Sequence, residues 1–440
     1  MSIPGPEPRP DGGAGAIAAA GGLHTYQLWL HRSYGPVVRF QLPGADTAVS
    51  IADPVLLEAT AHLDKRPGQL FAFLDPLFES GNPQVMPADE HGPWRRLLLW
   101  VLAGRPSHER QFAQLAALAN ELADRWAELP AAEPIALQHE LTALSLRMIC
   151  EYALGGDTVA PDGVVAAFEQ VLADYLGRLY QVSTPGSPQD QAERTERALA
   201  YLRATVDQVI AAHRSGSRAE RSDLVGALLE AGEHPARIRD TVLAVLLAAH
   251  HTTGVAVSWT LHLLGGHPEV ADRVAAELDR VLGDRAVPDY ADLRRLPYLE
   301  MVLKESMRLY PPGPYGARET TEPLALGPYR IPAGAVVFYP IWAVHLNPDV
   351  WPEPELFRPE RFTPERVARR PRLAWLPFGL GPRACEGAAL AMVEAQLLLA
   401  VLLRRFRFRP VPGQLVTPIE RFVLWAAEDI HLTASPRGIR

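Results

Sequence analysis

Cys385 stands in the stretch FGLGPRACEG (378–387), and its neighbours are what give it chemistry. Gly379 and Gly381 before it and Gly387 after it permit tight turns and close backbone approach to a flat ligand. An amphipathic run, GAALAMVEAQLLLAVLLRRF, follows at once, so the cysteine lies at a helix N-terminus. Backbone N–H groups and the helix dipole stabilise a thiolate there. Such a thiolate serves as a nucleophile or as a soft metal ligand. A lone cysteine in an ordinary loop is inert, and the glycine frame argues against that reading.

A second stretch, LLAAHHTTG (246–254), sets His250, His251, Thr252 and Thr253 into a long apolar run. Four polar side chains in a buried helix are costly unless each has a partner. A third, KESMRLYPP, places Glu305 and Arg308 three apart, on one helical face.

The elements that must position these residues are mostly helices. The apolar spacing predicts helices over 94–103, 107–129, 137–154, 164–181, 192–214, 222–231, 236–264, 268–282, 296–309 and 386–404. The segment 238–264 would be roughly 40 Å long. A first helix (23–35) is followed by two short β-like runs, PVVRFQLPG and TAVSIADP. Residues 66–93 read as loop, broken by Pro67, Pro76, Pro83, Pro87 and Pro93. Beyond residue 312 the texture turns Gly/Pro-punctuated and strand-like, with a proline-rich meander (348–377) and a β-like tail. The expected class is mainly α with a smaller β-rich part (α+β). Residues 1–22 read as a flexible arm and 23–440 as a single catalytic domain.

The 440 residues are 48% hydrophobic and 21% charged, which predicts an ordered chain with a sizeable core. A net charge of −8 argues against nucleic acid as the partner. With Cys150 and Cys385 the only cysteines, no disulfide framework is expected, which points to a reducing cytoplasm. No apolar run reaches the roughly 18 residues of a membrane span, and no signal peptide is evident.

The cysteine stretch resembles the haem-binding signature of the cytochrome P450 family, F-x-x-G-x-R-x-C-x-G, at every fixed position. The resemblance implies the cytochrome P450 fold, with a long central helix over haem b, and a bacterial, soluble haem-thiolate monooxygenase. By the same resemblance Cys385 is the iron's thiolate ligand, an arrangement that favours O–O cleavage. Phe378 packs beside the thiolate, Arg383 and Arg318 reach haem propionates, and Gly387 completes the loop. HGPWRRLLLW resembles the start of another propionate-binding helix and offers Trp94, Arg95, Arg96 and His91. The family's Arg or His four residues after the Trp is here Leu98. Together with FRPERF (357–362), Glu305, Arg308 and Arg361 resemble the family's buried Glu–Arg–Arg network.

The family's A-G-x-(D/E)-T-T pattern aligns with Ala248, Ala249, His250, His251, Thr252 and Thr253. Thr252 matches the threonine that handles dioxygen, and His251 replaces the acid that feeds protons. Imidazole, with an ordinary pKa of about 6.5, can also relay protons. Glu386 is the other departure, because an apolar residue is usual after the ligand. A carboxylate there needs an arginine or a helix N-terminus to compensate it.

The implied activity is oxidation of a hydrophobic small molecule of secondary metabolism. It would use dioxygen and electrons from a ferredoxin and ferredoxin reductase fed by NAD(P)H. Arg95, Arg96, Arg372, Arg404 and Arg405 are candidates for the docking face. Phe71, Phe73, Phe78, Ala248, Tyr315 and Phe422 are candidates for the substrate pocket. Two alternatives stay open: a non-hydroxylating outcome (desaturation, coupling or rearrangement) caused by His251, and a non-enzymatic haem sensor.

Overall fold

A computed structural model of the chain describes residues 1–130, 133–155, 160–180, 187–215 and 223–437. Residue 181 of the expected helix 164–181 and residue 222 of 222–231 lie outside the described residues. The chain divides into two compact units, each assembled from separated segments.

The first unit comprises Met1–Leu70, Glu300–Cys385 and Leu415–Glu428. Its main sheet has four strands. Val37–Leu42 pairs antiparallel with Ala45–Ile51, which runs parallel to Val336–Tyr339, itself antiparallel to Gly316–Glu319. Alternate residues serve alternate faces, as the two-residue strand period requires. Val37, Val49, Ile51, Val337 and Tyr339 enter one apolar cluster; Val38, Phe40, Ala48, Val336 and Phe338 enter the other. A small hairpin, Pro418–Arg421 with Val423–Ala426, belongs to the same unit.

The N-terminal residues are not structureless. They carry a short helix, Ala14–Ala19, and Arg39 N–H donates to the Pro4 carbonyl at 2.8 Å. The sequence suggested a loose arm because Pro, Gly and Ala dominate it. The backbone of strand Val37–Leu42 nevertheless gives it a partner.

The second unit comprises Phe71–Leu299, Glu386–Gln414 and Asp429–Arg440. Its described helices include Ala88–Leu102, Arg105–Ala127, Leu137–Leu154, Pro161–Tyr180, Pro188–Arg214, Pro235–Gly266, Pro268–Leu282 and Ala388–Arg405. Pro134–Ala136, His431–Pro436 and Phe406–Pro410 form a three-stranded sheet in that order. The expected helix at Trp94 in fact begins at Ala88 and runs through Pro93. The carbonyl that Pro93 leaves without an N–H belongs to Asp89, which is exposed in the first turn, so no buried carbonyl is stranded.

The central helix, Pro235–Gly266, has 32 residues with Pro235 in its first turn. Gly254 explains its close packing on Leu137–Leu154: a Cβ there would lie 2.6 Å from the Leu141 carbonyl oxygen. By length and composition this helix could cross a membrane, contrary to the reading of the sequence. In the structure 78% of its most apolar window is buried inside the protein, as in a core helix.

Candidate functional site

In the first unit Cys385 is an exposed thiol. Its backbone N–H donates to the Phe378 carbonyl at 2.8 Å, closing the loop on itself. Gly381 makes the turn with φ +69°, where a Cβ would lie 2.1 Å from the Ala61 carbonyl oxygen, so no other residue fits. Phe378 is half-buried, edge-on to Trp375. Cys150, the other cysteine, is buried, and burial pushes its thiol up to about 12. Of the two, Cys385 is the one with the exposure a reactive thiolate needs.

Arg383 pairs with Asp64, its Nε 2.7 Å from Oδ1. Arg318 is buried and donates to the carbonyls of Ala317 and Leu380. Its Nε finds no hydrogen-bond partner among the described residues. A buried guanidinium with an orphaned N–H fits an anionic group such as a propionate.

Behind the loop lies the predicted network. The carboxylate of Glu305 accepts from Arg308 Nε (2.7 Å) and Nη2 (2.8 Å), from Arg361 Nε (3.2 Å) and from the Arg358 backbone (2.9 Å). Glu305 and Arg308 are fully buried. Arg308 Nη1 also donates to the His345 carbonyl at 2.9 Å, and the His345 ring accepts the Leu376 N–H at 2.9 Å. Leu376 lies two residues before Phe378, so the network reaches the cysteine loop through His345.

His345 must be neutral to accept that bond. Burial, reinforced by Arg308, holds its imidazole down at about 3. A depressed base stabilises the fold fully above its unfolded value of about 6.5, and that contribution is lost as pH falls toward 3. Thermal melts from pH 7 to 4 should therefore show a falling midpoint that His345→Gln partly flattens. An identical slope in the variant would exclude His345 as the cause.

The second unit holds the histidine–threonine stretch. The central helix buries Ile238, its side chains from Asp240 to Leu247 and those from Thr253 to Leu261, but Ala248 is exposed and Ala249, His251 and Thr252 are half-buried. One open face in the middle of a buried helix is what a flat ligand needs. The Thr252 hydroxyl donates to the Ala248 carbonyl one turn back, at 3.0 Å. The His250 and His251 rings stack with centroids 4.0 Å apart. Burial lowers His251 to about 4, and burial with the neighbouring His251 holds His250 well below its ordinary value. Both rings are neutral at pH 7. Neither nitrogen of the buried His250 has a hydrogen-bond partner among the described residues.

Sequence reasoning missed Glu394. It is fully buried on helix Ala388–Arg405, and burial pushes its carboxyl up to about 8. The Thr253 hydroxyl donates to it at 3.3 Å, which explains the second threonine. Only its place nine residues beyond Cys385, on the buried side of an amphipathic helix, could have marked it. Trp94 also has a local explanation: its indole donates to Thr241 at 2.9 Å.

Arg95 and His91 both face Glu386. Arg96 and Arg372 are exposed. Arg404 is a correction to the docking face, being buried and paired with Asp279, and Arg405 is bonded to Asp124. The amphipathic pattern of that helix ends at its last turn, so its terminal arginines gave a false signal. Phe71 and Phe73 are half-buried within the second unit, and Phe78 is buried. In the first unit the Tyr315 hydroxyl donates to Glu420. Phe422 forms the hairpin tip with φ +69°, a left-handed backbone costing about 1–3 kcal/mol for a bulky residue.

These features converge with what the chain resembles. A cytochrome P450 family model matches residues 4–434. Cyclooctatin synthase of Streptomyces melanosporofaciens is 34% identical over 319 residues, 70% of this chain and 69% of its own length. Cyclooctat-9-en-7-ol 5-monooxygenase of the same organism is 39% identical over 263 residues, 58% of this chain and 55% of its own. The crystal structure of a mutant cytochrome P450DA heme domain aligns with a TM-score of 0.87 at 25% identity, covering 100% of this chain and 99% of that one.

The chain belongs to the cytochrome P450 family. Its fold is the α+β fold of that family, its cofactor is haem b, and its enzyme class is the cytochrome P450 monooxygenase.

Proposed function

We propose that the chain oxidises a hydrophobic small molecule of secondary metabolism, using dioxygen and electrons delivered by a ferredoxin and its reductase. The observation that carries this reading is Cys385, an exposed thiol in a loop shaped by the Gly381 turn and by its own backbone bond to Phe378. Arg318 and Arg383 would hold the propionates of haem b, and Cys385 would supply the thiolate. When bound, the haem supplies oxygen activation and attack on an unactivated C–H bond.

The remaining roles fall to side chains. Thr252 offers a hydroxyl that can turn from its own helix carbonyl toward a bound molecule. His251, neutral at pH 7, can take a proton at one ring nitrogen and release it from the other, which is how it would replace an acid. The exposed Ala248 leaves room for an apolar carbon skeleton. An alcohol on such a skeleton, of the kind named for one relative, is the substrate class we favour. His251 in the acid's place also favours a second outcome, oxidation without oxygen insertion.

The test is the carbon monoxide difference spectrum of the reduced protein, followed by turnover under labelled dioxygen. A strongly red-shifted Soret band with label in the product is expected. A band at the imidazole-haem position would overturn the reading and favour a haem sensor, and an unlabelled product would establish the second outcome.

A further inference from the structure

Glu386 follows the cysteine where the family carries an apolar residue, and its carboxylate has specific partners within the second unit. Its Oε1 meets the Arg95 guanidinium and stands 3.7 Å from His91 Nε2. The three side chains are well covered, at 19% exposure for Glu386 and Arg95 and 4% for His91. His91 and Arg95 are four apart, on one face of helix Ala88–Leu102. Gly387, the next residue, is the N-cap of Ala388–Arg405 and provides no side-chain cap. The charge of Glu386 therefore falls at the positive end of an 18-residue helix. Both an arginine and a helix N-terminus, either of which would compensate a carboxylate beside a thiolate, are present.

We propose that Glu386 is a positioning residue that, with Arg95 and His91, clamps the exit of the Cys385 loop and so sets how firmly the thiolate holds haem iron. The proposal rests on the haem-thiolate reading. An apolar residue at 386 could cover the same surface, but it could not fix a direction. A carboxylate bonded to a guanidinium, with the His91 ring packed 3.7 Å away, holds the chain in one orientation.

The experiment is a double-mutant cycle on the haem-loaded protein, with Glu386→Leu, Arg95→Leu and both together. The first readout is the rate of haem transfer to excess apomyoglobin. Each single change should speed release roughly five- to tenfold, as expected for losing one charged hydrogen bond of about 1–1.4 kcal/mol. The double variant should release haem about as fast as either single one, because each removes the same interaction. Glu386→Gln keeps the side chain's shape if the leucine variant folds poorly, and it should move the haem reduction potential upward. Equal release from Glu386→Leu and wild type, single effects that multiply, or an unmoved potential in Glu386→Gln would overturn the clamp alone. A wild-type protein without the thiolate band would overturn the haem-thiolate reading and the clamp with it.

Discussion

Cys385→Ser should leave a folded protein that lacks both the red-shifted carbon monoxide band and turnover. The loop does not depend on the sulfur for its shape. Its closure is a backbone bond, Cys385 N–H to the Phe378 carbonyl, and its turn is fixed by Gly381 against Ala61. Serine is smaller and makes the same backbone contacts, so the melting temperature of the haem-free protein should hardly change. What is lost is a soft anionic ligand, since a hydroxyl stays protonated where a thiolate forms. Turnover should fall by at least about a thousandfold, or ~4 kcal/mol of activation free energy. A serine variant that kept the red-shifted band would show that the ligand is another residue.

Arg308→Ala should have the second largest effect, and it should act on folding. The side chain is fully buried and makes two bonds to Glu305, one to the His345 carbonyl and one to the Leu356 carbonyl. Its removal takes two of the four bonds from the buried Glu305 carboxylate and leaves two carbonyls without their donor. Breaking a buried pair from one side typically costs about 3–5 kcal/mol, against a total stability of about 5–15 kcal/mol. Little soluble, haem-loaded protein should be recovered on expression. Arg308→Lys should rescue little of it, because a single ammonium cannot bridge both Glu305 oxygens and the two carbonyls. Denaturant melts placing Arg308→Ala within about 1 kcal/mol of wild type would remove the network from the account of how the loop is held.

Much of this was legible in the sequence, for physical reasons that differ by element. The helix expected at 137–154 appears as Leu137–Leu154, and 268–282 as Pro268–Leu282, because Pro and Gly mark their ends and apolar spacing marks their interiors. The Glu305–Arg308–Arg361 cluster was legible only through the resemblance to the family's network; spacing alone placed Glu305 and Arg308 on one helical face. Partnerships across long separations were not legible. Glu386 with Arg95, 291 residues apart, and Thr253 with Glu394, 141 apart, depend on how helices pack, which no local pattern encodes. Arg404 shows the converse: a charged residue at a helix end usually faces water, and here Asp279 and the Gly283 carbonyl draw it inside.

The parallel pairing of Ala45–Ile51 with Val336–Tyr339 also affects how the chain is made. During synthesis the N-terminal hairpin emerges about 285 residues before the strand that covers its edge. At roughly 5–20 residues per second that is a wait of about 15–60 s. For that interval Ala48, Val49 and Ser50 present an unpaired, apolar strand edge, the kind of surface that recruits stray strands. Its closing partner comes from a segment translated only after the whole helical run from 88 to 309. The expected consequence is that the recovery of folded protein in a cell varies with translation speed and with how well the nascent edge is shielded, long before any cofactor is involved.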